Sequence, residues 1–89
     1  MKIEYDPEKR TATLEARGLG MAEAGEVFTG ATLTVEDDRR DYGEPRYITI
    51  GFLSGRMVVV AWTQRGDARR VISMRKANDR EQEKYGPRF

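Results

Sequence analysis

Eighty-nine residues, 38% apolar and 35% charged, are enough for one small α+β domain with a single core and too few for a second. With neither cysteine nor histidine, the chain has no disulfide, no thiolate site and no ordinary zinc or copper site, so no metal or cofactor is expected. No apolar run approaches the roughly 20 residues that span a bilayer, and the first residues lack a signal-peptide core, so the cytoplasm is the expected location. The net charge of +1 conceals a split. Residues 1–45 carry six basic and eleven acidic side chains; residues 46–89 carry ten basic and four acidic. Such a split suits either a polyanionic partner for the second half or attraction between the halves inside the fold.

Taken in order, residues 2–5 alternate polar and apolar as a short strand does. Asp6-Pro7-Glu8 then carries an N-cap, a proline for the first helical position and an acid at the positive dipole end, and Gly18 is placed to end that helix. Met21, Ala24, Val27 and Phe28 recur at helical spacing, which predicts a second helix over 21–28 closed by Gly30. Residues 31–35 alternate as a strand, and 36–45 form an acidic loop. A strand follows over 46–53, a turn at Ser54-Gly55, a strand over 57–65, a turn at Gly66-Asp67, and a strand over 68–75. Val58-Val59-Val60 is apolar on both faces, as a central strand requires. Asn78 with Glu81 three residues on reads as a capping box that opens a last helix through Tyr85, before Gly86-Pro87. The expected architecture is one α+β domain over 1–89: an antiparallel sheet, two N-terminal helices packed on it, and a C-terminal helix.

The last hairpin carries Arg65, Arg69, Arg70, Arg75 and Lys76, more cations than folding a hairpin needs. Planar, permanently charged guanidinium groups on a rigid ribbon suit phosphate, and phosphate contacts dominate nucleic-acid affinity. Period-2 parity places Arg69, Val71, Ser73 and Arg75 on one face and Arg70, Ile72 and Met74 on the other, unless a bulge intervenes. Arg69 and Lys76 are candidate RNA-binding cations, and Tyr47, Trp62 and Tyr85 candidate stacking partners for unpaired bases. The bland reading of the same residues is a solvated face. Metal-free RNA cleavage needs proton carriers and cations for the phosphorane; without histidine the candidates are Lys9, Glu44, Tyr5, Tyr47 and the arginines.

The order and spacing of several short motifs resemble the BrnT family, small toxins of bacterial type II toxin–antitoxin pairs with a fold related to RelE ribonucleases. The opening resemblance runs through Tyr5-Asp6-Pro7-Glu8-Lys9, Leu14, Gly18 and Glu23-Ala24-Gly25-Glu26-Val27-Phe28. It continues at Glu44, Arg46 and Gly51, then at Thr63, Arg65-Gly66, Arg70, Ile72-Ser73, Arg75-Lys76-Ala77, Arg80-Glu81 and Tyr85. It implies a RelE-like fold, metal-independent endoribonuclease activity, and a catalytic set of Lys9, Arg17, Arg46, Arg65, Arg70 and Arg75 converging on one surface. The implied partners are RNA and a ribbon-helix-helix antitoxin of the BrnA type, in a hetero-oligomer. The chain departs from the family pattern at Thr13, at Ala16-Arg17-Gly18, where a Lys-His-Gly is usual, and at Trp62, where His or Tyr is common. These departures keep a second expectation open: a catalytically weakened binding module that acts with the antitoxin in operon autoregulation. A third is an α+β interaction domain with solvated charges.

Overall fold

Asp6 opens the first helix as its residues dictate: its carboxylate accepts from the Glu8 N–H at 2.9 Å. Gly18 closes that helix at φ 67°, a left-handed conformation glycine adopts freely, and donates its N–H to the Leu14 carbonyl. The computed structural model describes residues 2–89. The elements are β1 (Lys2–Tyr5), α1 (Pro7–Arg17), a 3-10 turn (Met21–Glu23), α2 (Ala24–Thr29), β2 (Leu33–Glu36), β3 (Tyr47–Leu53), β4 (Arg56–Arg65), β5 (Ala68–Lys76), α3 (Asp79–Tyr85) and a final 3-10 turn (Gly86–Arg88). The helix expected over 21–28 is thus a tight turn running into a shorter α-helix.

The five strands form one sheet in the order β1-β5-β4-β3-β2. Strands β2 to β5 pair antiparallel, as the turn chemistry requires. Ser54 and Gly55 both have positive φ, and Gly66 supplies the positive φ of the second turn, so both are two-residue hairpins that match the strand twist. The expectation of a wholly antiparallel sheet is corrected at the edge, where β1 lies parallel to β5. Turn chemistry sets direction only for strands adjacent in sequence, and β1 reaches β5 across more than sixty residues of chain.

Each face of the sheet has its own core. On the inner face, Leu19, Met21, Ala24 and Val27 pack against Val58, Val60, Trp62, Val71 and Met74. A Cβ on Gly51 would stand 2.7 Å from Val27 Cγ1, so the missing side chain is what lets α2 approach β3. On the outer face, α3 closes one end over Ile50, Met57, Val59 and Ala77, with Ile48 and Tyr85 at the margin. The capping box of α3 is complete: Asn78 accepts from the Glu81 N–H, and the Glu81 carboxylate accepts from the Asn78 N–H.

Candidate nucleic-acid interface

The pairing of β4 with β5 shifts register between Ala61 and Trp62: Ala61 faces Ser73, whereas Trp62 faces Val71. Ile72 is the extra residue of a β-bulge, and it breaks the simple alternation. Val71 and Met74 therefore both point into the inner core. Arg70, paired with Thr63, and Arg75, paired with Val59, share the outer face. The parity read from sequence, which set Arg70 against Arg75, is overturned by this one residue. Arg65 lies on the same face as Thr63, two residues along β4, and Arg46 has the parity of Ile48 and Ile50 just ahead of β3.

The loop between β2 and β3 covers the hairpin end of this face. Thr63 donates its hydroxyl to the Pro45 carbonyl at 2.6 Å, which seats the loop on β4. Within the loop, Arg39 forks onto Asp37 at 2.8 and 2.9 Å, and the Tyr42 hydroxyl donates to the same carboxylate. The Arg39 hydrogen bonds hold the Asp37 pKa down at about 2. The Arg46 guanidinium lies 4.0 Å from the centre of the Tyr42 ring, a cation–π contact, with its buried Nε unpartnered. At the other end, Arg75 forks onto Glu81 at 2.7 and 2.8 Å, and these bonds lower the Glu81 pKa to about 2. Arg65 is only loosely paired with Glu44, at 3.8 Å. Among the described residues, Arg46 and Arg70 make no ion pair.

Four of the six cations expected to converge, Arg46, Arg65, Arg70 and Arg75, are thus gathered on one face. Lys9 and Arg17 are not among them. Both sit on α1, which packs along β5 and the 3-10 turn at the edge of the sheet. There the Arg17 guanidinium donates to the Met74 carbonyl at 2.8 Å. The stacking candidates Tyr47 and Trp62 lie on the inner face. Trp62 is 6% exposed, its indole N–H bonded to Thr49, its ring flanked by Tyr47, Phe28 and the Arg69 guanidinium. Lys76 is exposed at the far end of β5.

Sequence reasoning missed Arg39 and the link from Arg75 to Glu81. The second was legible in principle: a capping box places its glutamate at a helix entrance, here directly after the strand that carries Arg75. Among the described residues no three His, Cys, Asp or Glu side chains gather as a cation site, and no helix is long and apolar enough to cross a membrane.

The model of one protein family, described as ribonuclease toxin, BrnT, of type II toxin–antitoxin system, matches residues 5–81. No curated protein matches the chain. Because the match runs from the end of β1 into α3 and takes in the whole arginine-bearing face, the chain belongs to the BrnT family of type II ribonuclease toxins.

Proposed function

We propose that this chain binds single-stranded RNA across the outer face of its sheet and cleaves it by 2′-hydroxyl attack, until a ribbon-helix-helix antitoxin of the BrnA type covers it. The observation that carries this reading is the bulge at Ile72, which puts Arg70 and Arg75 on one face, the face that also carries Arg46 and Arg65, against their mutual repulsion. Guanidinium groups there neutralise the phosphate and stabilise the charge that develops on the phosphorane. Arginine does not exchange protons near neutrality, so the base must be another group. The Asp37 and Glu81 carboxylates are each held by a forked guanidinium. Glu44, beside Arg65 with only a 3.8 Å contact to it, is the carboxylate assigned to take the 2′-hydroxyl proton.

A test has two arms. Inducing the gene without its neighbouring antitoxin should arrest growth with loss of RNA, and the purified chain should cut a model RNA in the presence of a chelator. Glu44→Gln should lower the cleavage rate by about 10²–10⁴ while leaving affinity within a few fold. Unchanged cleavage by Glu44→Gln removes Glu44 as the base. A binding module acting with the antitoxin is favoured by a different observation: Arg75 is already engaged by a carboxylate. Normal growth on induction, with RNA affinity intact, would select that second reading.

A further inference from the structure

Between the loop and α3, the outer face encloses a recess of ≈ 240 Å³. Its floor is apolar, made by Ile48, Ile50, Val59 and Ala61. Arg39 bounds it on the loop side, and Arg75, Glu81 and Tyr85 on the helix side. The two guanidinium groups are near enough that Arg39 opposes the positive charge of Arg75. Ser73 also lines the recess.

Size and charge limit what fits. The volume is below the roughly 300–1,000 Å³ of pockets that take a drug-sized ligand, so it suits one small ring system. The Glu81 carboxylate, held ionised by the Arg75 hydrogen bonds, disfavours a phosphate inside the recess. Arg46 and Arg70, outside it and without ion pairs, are the better phosphate groups. A neutral, flat, partly polar ring matches: apolar floor beneath, guanidinium planes and a phenol at the walls, hydrogen-bonding groups at the rim. Unstacked RNA bases are held by such walls.

We propose that this recess holds one unstacked nucleobase of a bound RNA strand, guanine in preference, beside the phosphate-binding arginines of the same face. This rests on the RNA-directed reading above and assigns that site its base specificity. Guanine presents O6 and N7 acceptors on one edge, which suit the free N–H groups of Arg39 or Arg75. On the adjacent edge its N1–H or N2–H donor suits the one acceptor site that Glu81 keeps at Oε2 after accepting from Arg75 twice and from the Asn78 N–H. Adenine offers an acceptor, N1, where guanine has a donor, and is repelled there by Glu81.

The test measures affinity for short 2′-O-methyl oligouridines, which the 2′-hydroxyl route does not cut, with guanine, adenine or an abasic site at the central position. Wild type should bind the guanine strand roughly tenfold more tightly than the abasic one, with adenine between. Ala61→Leu and Ser73→Val fill the recess from two different strands; each should bind the abasic strand as wild type does and lose the advantage of guanine. Equal affinity for guanine and abasic strands, or filled variants that keep the advantage, overturns the recess while leaving the arginine face intact. Equal affinity for adenine and guanine overturns the guanine assignment. If no strand binds, the RNA-directed reading fails with it.

Discussion

Arg75 is a long side chain whose guanidinium is fixed by folding itself. A forked carboxylate fixes its guanidinium plane, and the same carboxylate is anchored by the Asn78 N–H at the start of α3. The rotamer freedom a long side chain would lose on binding is lost on folding instead. That arrangement makes stability depend on pH. The Glu81 pKa falls from 4.5 to about 2 on folding, because Arg75 bonds favour the charged form. Its contribution is therefore complete above the unfolded value and disappears as pH falls through the folded one. Denaturant midpoints at about pH 6 and about pH 3 should differ less for Glu81→Gln than for wild type. An identical acid-induced loss in both proteins would show that Glu81 is not a source of it. Asp37, lowered by Arg39 to about 2, titrates in the same window and sets the decline that remains.

Among elements, local devices were legible in the sequence and long-range ones were not. The N-cap at Asp6, the closing Gly18, the turns at Ser54-Gly55 and Gly66-Asp67 and the capping box at Asn78 all act within a few residues. The parallel β1–β5 pairing and the Ile72 bulge depend on which strands meet, and no local residue pattern encodes that. The bulge matters most for the site, since a one-residue shift exchanges the faces of everything beyond it. It put Arg70 and Arg75, expected on opposite faces, on the same face, and turned Arg69 inward against Phe28 and Trp62. Arg17 was legible as a helix C-terminal cation, but its bond to the β5 edge was not. Gly51 tests the packing that supports β3 from beneath. With Val27 Cγ1 only 2.7 Å and Thr32 Cγ2 3.2 Å from a modest Cβ, Gly51→Ala should destabilise the fold by about 1–3 kcal/mol, read from denaturant midpoints. No loss of stability would mean that α2 can lift off β3 without cost.

For the molecule as a whole, few ion pairs join the acidic half to the basic half. Only the pair Arg65–Glu44, at 3.8 Å, joins the acidic half to the basic half among the described residues. The two tighter pairs, Arg39–Asp37 and Arg75–Glu81, each lie within one half. Within the basic half, Arg46, Arg65, Arg70 and Arg75 lie on the outer face and Arg69 turns inward over Trp62, so few of its cations meet a carboxylate of the acidic half. Family membership places the chain among ribonuclease toxins, but it does not say which cations would meet RNA. We propose that role for the outer face. The most direct test is the salt dependence of binding to a short single-stranded RNA, compared for wild type, Arg70→Ala and Arg17→Ala. Each phosphate contact contributes about 0.7 to the slope of log affinity against log salt for single strands. Arg70→Ala should weaken binding and flatten that slope by about 0.7, while Arg17→Ala leaves the slope unchanged. A flattened slope in Arg17→Ala with none in Arg70→Ala would place the RNA at the α1 edge and contradict the account.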